Sequence, residues 1–227
     1  MANYKEWIKT GARGARAEFS DADIFTTILL LTNGPMGRYR LQKELKLSES
    51  STKSLLNYCK KKALVEIYST RKGHILSRKG KQIAKRLNTI ICDHGTFPVQ
   101  IFKDNAHYFV FIAKKPFESK SENGKASFKP SWQLRDIAIS YGAKAILFLK
   151  VLDPQHLNFP EEGLTLEKYY PMLETTILEK FQEALQCAAF LLVVSAPTSE
   201  QARKSAIISS LKFNENFYFK IASLLSG

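Results

Sequence analysis

Residues 48–76 read SESSTKSLLNYCKKKALVEIYSTRKGHIL, and their pattern decides the fold of the amino-terminal third. Ser48 follows a break at Leu47 and offers a helix N-cap, after which SESSTKSLLNYCKKKA repeats apolar residues at helical spacing and would bury Thr52, Leu55, Leu56 and Cys59. By the same spacing Ser50, Lys53, Ser54, Asn57 and Lys61 fall together on the opposite face. LVEIYST and HILS are short runs rich in β-branched and aromatic residues. Arg71-Lys72-Gly73 between them reads as the tip of a hairpin, with glycine supplying the turn.

Working outward, Ser20 caps a first helix whose stripe is Ile24, Phe25, Ile28, Leu29 and Leu31, with Asp21 and Asp23 at its positive end and Asn33-Gly34-Pro35 as its stop. RYRLQKELKL places Leu41 and Leu45 four apart, a second helix of about eight residues that leaves Arg38, Arg40 and Lys43 outside. Beyond the hairpin, RKGKQIAKRLNTI is a closing helix with Ile83 and Leu87 turned inward. The first nineteen residues mix Gly, Ala and cations without periodicity, so residues 1–19 read as a flexible basic tail.

The whole chain has 227 residues, enough for two modest domains with their own cores. Apolar residues make up 44% and charged residues 24%, which excludes wholesale disorder and collagen-like repetition. There are 34 Lys/Arg against 21 Asp/Glu, a net of +13. Residues 1–91 hold 19 of those cations and 7 of the acids, net +12, which leaves 15 and 14, net +1, for residues 92–227. One half is a candidate for a polyanionic partner and the other is neutral. Cys59, Cys92 and Cys187 are odd in number and form no C-x-x-C pair, so no disulfide framework is implied and reduced thiols in a cytoplasmic protein are expected. The longest apolar run, Cys187–Val194, has eight residues, against the ~20 that a membrane helix needs, so no membrane partner is expected.

After a composition shift near Cys92–Pro98 the chain alternates strands and helices. A strand ends in Tyr108–Ala113, KPFESKSENGKASFKP is a polar loop, and Trp132–Tyr141 is a helix closed by Gly142. AKAILFLKV and AAFLLVVSA are apolar runs of the kind buried on both faces. LTLEKYYPMLETTILEKFQEAL is helical, with Pro171 either kinking it or starting a second helix, and TSEQARKSAIISSLKF is a helix capped by Thr198 or Ser199. The fold class expected is therefore mixed, α+β or α/β: a winged helix-turn-helix at 20–91, then a smaller-sheet α/β domain at 95–227 for dimerisation or effector sensing.

The order helix, helix, longer helix with a polar outer face, basic hairpin and closing helix suits a duplex. A helix enters the ~12 Å major groove only if one side packs on its own core while the other offers polar and basic groups. Ser50, Ser51, Ser54 and Asn57 are the candidates for base edges, and Arg38, Arg40, Lys53, Lys60 and Lys61 for phosphates. Arg71 and Lys72 would lie against an adjacent backbone or minor groove. Only Tyr58 offers a stacking surface, which favours double-stranded DNA over RNA. GPMGRYRLQKELKLSESSTKSLLNYCKKKALVEI with KGHILSRKGKQIAKRL resembles the winged-helix module of archaeal transcription regulators. WQLRDIAISYGAKAILFL, residues 132–149, resembles a segment of the carboxyl-terminal domain of unknown function that follows it in one such family. The resemblance implies a DNA-binding regulator, expected as a homodimer, with a small-molecule effector as a possible further partner. Two departures stand out: Ala63 occupies a position where such modules commonly have Gly, and Lys53 one where Arg is frequent, which disfavours bidentate guanine reading there.

Other motifs carry less. Arg13 and Arg16 suit either a minor-groove arm or a solvated tail. Cys92-Asp93-His94 has ligand-type residues without the three or four that zinc needs, so no metal is expected. No phosphate-cradling loop or nucleophile elbow occurs, so neither cofactor nor catalysis is expected. The alternative of a different class is a small-molecule enzyme, nucleotide- or cofactor-related, with a regulatory winged helix. Ser195–Ser199 reads as an ordinary cap with an anion site as the competing reading, and Arg135 and Asp136 as a ligand contact or a surface pair.

Overall fold

A computed structural model describes residues 19–69, 71–103, 105–114, 131–161, 163–213, 218, 219, 221 and 223. The basic tail up to residue 18, with Arg13 and Arg16, and the polar loop at 115–130 lie outside the described residues. The chain divides into two compact units, one comprising Met1–Leu87 with Tyr218–Gly227, the other Asn88–Phe217.

In the first unit α1 spans Asp21–Leu31, α2 Arg38–Leu45 and α3 Glu49–Lys61. A hairpin of β1 (Val65–Ser69) and β2 (Gly73–Leu76) follows, and α4 (Arg78–Asn88) closes the unit. The Ser20 backbone N–H and hydroxyl both donate to Asp23, fixing the start of α1. This helix is buried on nearly every side, wider than the apolar stripe alone requires, and Thr26 and Thr27 satisfy their buried hydroxyls on the carbonyls of Ala22 and Asp23. Tyr218 packs edge-on to Phe25 at 6.4 Å and donates to Asp21 at 2.7 Å, so Tyr218 covers part of α1. Leu41, Leu45, Leu55, Ile83 and Leu87 are fully buried, each stabilising the unit by about 2 kcal/mol.

Met36, ahead of α2, exchanges both backbone hydrogen bonds with His74, at 2.9 Å each, adding a one-residue bridge to the edge of β2. Gly73 makes this possible. Its φ is +87°, and a Cβ there would lie 2.5 Å from the Met36 carbonyl oxygen. At the end of α3 the Ala63 N–H reaches the Lys60 carbonyl at 2.9 Å and the Leu64 N–H reaches Cys59 at 2.8 Å, a Schellman closure with Ala63 in the left-handed region at φ +52°. This is the winged helix-turn-helix order: three helices, a two-stranded wing and a closing helix.

The second unit is a five-stranded sheet in the order β3-β4-β7-β5-β6, every pairing antiparallel. Its elements are β3 (Ile91–Thr96), β4 (Ala106–Ala113), α5 (Ser131–Ser140), β5 (Ala145–Asp153), β6 (His156–Asn158), α6 (Leu166–Tyr169), α7 (Pro171–Lys180), α8 (Gln182–Cys187), β7 (Ala188–Ala196) and α9 (Ser199–Lys212). β7 lies between β4 and β5, so those two run parallel without touching. Strand alternation sorts the core: Phe109, Phe111, Leu149, Val151, Leu191 and Val193 meet Leu166, Ile177 and Leu185 of α6–α8. On the other face Val110, Ile112, Leu192 and Val194 are buried, α9 packs against β4 and β7, and Phe148, Phe190 and Phe213 cluster with ring centroids 5.0–5.5 Å apart. Helices on both faces explain why these strands read as continuous apolar runs.

Three details differ from the sequence reading. Ile91–Thr96, read as the inter-domain shift, is the edge strand β3, whose polar ICDHGT is recruited by β4. The short strand β6 is likewise set by its partner, β5, and by buried Glu174, which accepts the Leu157 N–H at 3.0 Å. The long helix takes the second start at Pro171 that one of its two readings has, and it is broken once more, at Phe181. Pro171 starts α7, and Phe181 leaves helical geometry between α7 and α8 to pack 4.6 Å from Phe109 and 5.3 Å from Phe111.

Candidate nucleic-acid interface

The two faces of α3 differ as the spacing implies. Ser51, Thr52, Leu55, Leu56 and Cys59 are buried, whereas Ser50, Lys53, Ser54, Asn57, Lys60 and Lys61 are exposed. Ser51 is the one residue assigned outward from the sequence that the structure turns inward. As the third helical residue it donates its N–H to the Ser48 hydroxyl at 3.0 Å and holds its own hydroxyl 2.6 Å from the same oxygen, so it builds the cap of α3. Burial pushes the Cys59 thiol up to about 12, which leaves it a small inert core group.

Arg40 is exposed and Arg38 half-buried at the start of α2. Arg38 pairs with Glu49 at 3.0 Å, tying α2 to the start of α3, and its guanidinium lies 5.0 Å from the ring of Tyr39. The wing presents Arg71 and Lys72 at its exposed tip, the latter 5.4 Å from the Tyr68 ring. Ile67 and Tyr68 stand 63% and 53% exposed on β1.

Sequence reasoning missed His74. The wing register sets it opposite Ile67, and the Met36 bridge brings it beside the start of α2. Burial first, then the charges of Lys60 and Arg38, hold it below the usual imidazole range. Lys60 of α3 and Arg38 of α2 therefore both act on this wing residue. Nothing in HIL announces this, because cross-strand pairing is not a local property. The sequence reading of the closing helix names only its inward residues; its cations Arg78, Lys81, Lys85 and Arg86 are all exposed.

Residues 19–87 hold fifteen Lys/Arg and five Asp/Glu, net +10, so most of the positive charge of the first ninety residues belongs to the folded unit rather than the tail.

The other candidates resolve into structure. Thr198 caps α9, its hydroxyl accepting the Gln201 N–H at 3.2 Å, and Arg135 pairs with Asp136 at 3.5 Å in solvent. His94 holds Tyr108 at 2.8 Å. His107 accepts the Phe102 N–H at 3.1 Å, with the buried Ser195 hydroxyl 3.4 Å from the same nitrogen. Among the described residues no group of three or more His, Cys, Asp or Glu is placed to hold a metal, and no helix is long and apolar enough to cross a membrane.

Fold and surface together define a two-unit α+β protein: a winged helix-turn-helix with an exposed polar and basic α3, then a neutral antiparallel sheet layered with helices. Residues 22–82 match the family model described as PH0730-like, N-terminal domain, and residues 113–213 match that of a domain of unknown function, DUF4443. Among solved structures the chain is similar to the hypothetical protein PH0730 from Pyrococcus horikoshii OT3, with a TM-score of 0.66 and 24% identity over 91% of this chain and 100% of that one. No curated protein matches. At that identity the likeness is one of fold, and the functional reading rests on the surface.

Proposed function

We propose that this chain is a double-stranded-DNA-binding transcriptional regulator, not an enzyme. It would lay α3 in the major groove and the wing tip against the neighbouring backbone or minor groove. The observation that carries the reading is the division of α3: one side packs on Leu55, Leu56 and Cys59, while Ser50, Lys53, Ser54, Asn57 and Lys61 stand in solvent without an apolar residue among them. Thirteen residues give that helix a length of about 20 Å, enough to lie along several base pairs. Asn57 and the serines suit base edges, and Lys53, Lys60, Lys61, Arg71 and Lys72 suit phosphates. The neutral second unit serves dimerisation, effector sensing or both, and a dimer would place two α3 helices on half-sites ~34–36 Å apart.

The test is fluorescence anisotropy of the full chain with a labelled mixed-sequence duplex between 50 and 200 mM salt. If a dimer neutralises six to ten phosphates, affinity falls by ~10³–10⁵ over that range. Salt-independent binding, or none at low salt, refutes the reading. Selection from a random duplex library then gives the operator, and light scattering gives the oligomeric state.

A further inference from the structure

The closing helix does something unusual for its place in the fold. α4 reads RKGKQIAKRLN, five cations and no acid, and Arg78 and Lys79 occupy its first two positions. The N-terminal end of a helix carries partial positive charge from unpaired backbone N–H groups, so acids are favoured there and cations oppose the macrodipole. Lys81 and Lys85, one turn apart, add like-charge repulsion. A helix selected only for stability would not carry this pattern, and an anionic partner would reverse the sign of every one of these terms.

The geometry concentrates the charge. Gly80, Ile83, Ala84 and Leu87 are buried on one side of α4. At 100° per residue Arg78, Lys81 and Lys85 fall within about 60° of one another on the opposite side, and all three are exposed. Arg78 to Lys85 spans about 10 Å along the axis. A duplex strand offers one phosphate per ~3.4 Å of its own axis, so three cations over that length match about three phosphates.

The start of α4 is fixed beside the end of α3. The Ser77 hydroxyl, which caps α4 by accepting the Gly80 N–H at 3.0 Å, donates to the carbonyl of Ala63, and the Ser77 N–H donates to Leu64 at 3.1 Å. A Cβ on Gly80 would sit 2.0 Å from the Leu64 carbonyl oxygen, so glycine there lets α4 close directly onto the turn that ends α3. The first turn of α4 is thereby held against the turn that follows Lys60 and Lys61, and the Arg78, Lys81 and Lys85 row stands on the solvent side of the helix.

We propose that Arg78, Lys81 and Lys85 form a second phosphate-binding row that grips the DNA backbone flanking the α3 contact, a surface that adds affinity without reading sequence. The inference rests on the DNA-binding reading above. Such a row accounts for a cation at the positive end of the helix and for like charges one turn apart, and it puts α4 on the nucleic acid rather than between subunits.

The experiment compares the full-length wild type with the triple variant Arg78→Gln, Lys81→Gln, Lys85→Gln, and with the charge-preserving R78K, K81R, K85R. Each is measured by anisotropy on a labelled 30-base-pair mixed-sequence duplex across a salt series, beside a thermal melt. At about 0.9 per phosphate, the neutral triple lowers the slope of log K against log salt by about 2.7 per chain. Its melting temperature is nearly unchanged, because losing Arg78 from the positive end and the Lys81–Lys85 repulsion offsets losing Lys85 from the last turn, where a cation is favoured, and the charge-preserving triple keeps the wild-type slope. An unchanged slope in the neutral triple, or a lowered melting temperature that R78K, K81R, K85R shares, overturns the proposal. So does a change in oligomeric state by light scattering without a change in slope, which would make α4 a subunit contact. If Lys53→Ala weakens binding while the neutral triple does not, only this inference fails. If the wild type ignores the duplex at every salt concentration, the DNA-binding reading fails and takes this one with it.

Discussion

Replacing Ala63 by glycine tests the turn that joins α3 to the wing. Ala63 sits at φ +52°, closing the helix through its N–H to Lys60 and its neighbour's N–H to Cys59, and its carbonyl accepts the Ser77 hydroxyl. Holding a residue with a Cβ in the left-handed region costs about 1–2 kcal/mol, and glycine removes that strain. Glycine also gives the unfolded chain more freedom to lose, which returns about 0.5–1 kcal/mol of the gain. The side chain is exposed, so no packing is lost. The net is a stabilisation of about 0.5–1 kcal/mol, or about 2–8 °C in the transition of a unit of this size. Scanning calorimetry and circular dichroism read it directly, and Ala63→Val supplies the opposite sign because a β-branched residue tolerates positive φ least. A neutral or destabilising A63G, or an A63V as stable as wild type, would show that the turn is not strained as described. DNA affinity should not move with A63G, since the backbone path is unchanged.

Three further outcomes are expected. Lys53→Ala weakens binding to all duplexes alike and lowers the salt slope by about 0.9, whereas Asn57→Ala alters the ranking of sequences in a competition assay; unaltered binding in both would move the interface off α3. Gly80→Ala places a Cβ 2.0 Å from the Leu64 carbonyl and costs about 3 kcal/mol, seen as an early unfolding transition, and a variant that melts like wild type refutes the close approach. Burial, the largest cause for each, holds His74, His94 and His107 below their ordinary range. The unfolded chain therefore binds protons first, and the stability these rings contribute is whole above about pH 6.5 and is lost as pH falls through that value toward the folded-state pKa. Denaturation midpoints should be flat from pH 7 to 8.5 and decline from 6.5 to 5, with His94→Gln and His107→Gln each reducing the decline; equal slopes in wild type and variants would exclude these rings as its source.

What could be read from the chain and what could not divide along one line, between local and partnered structure. Leu41 and Leu45, Leu55 with Leu56 and Cys59, and Ile83 with Leu87 announce their helices because helical spacing is written in consecutive residues. The wing is announced by Gly73 for the same reason. β3 and β6 are strands because β4 and β5 recruit them, and α1 is buried beyond its apolar stripe partly because Tyr218 arrives from the far end of the chain. The break at Phe181 depends on the aromatic cluster that receives its ring. The candidate surface follows the same line. Spacing alone placed Ser50, Lys53, Ser54, Asn57 and Lys61 in solvent. Ser51, four residues before Leu55 and eight before Cys59, lies on the buried side by that same spacing and caps the helix there, and His74 joined Arg38 and Lys60 through a bridge between distant segments.

The places where local chemistry and fold disagree are not scattered through the first unit. Ala63 occupies a conformation suited to glycine, and Arg78 and Lys79 oppose the dipole of α4 at about 0.3–1 kcal/mol each. Burial and then the charges of Lys60 and Arg38 hold His74 below its ordinary range. The first two meet where the end of α3 and the start of α4 are bound together through Ser77, and His74 connects to the same surface through the charge of Lys60. Sequences are locally consistent where only folding is at stake, and they depart from that where something else is bound. A single polyanion lying across α3, the wing and the start of α4 offsets the electrostatic terms together, because each is an excess of positive charge. Strain at Ala63 has no such remedy, which is why A63G should stabilise the unit while leaving DNA affinity alone, and the neutral α4 triple should weaken DNA binding without loss of stability.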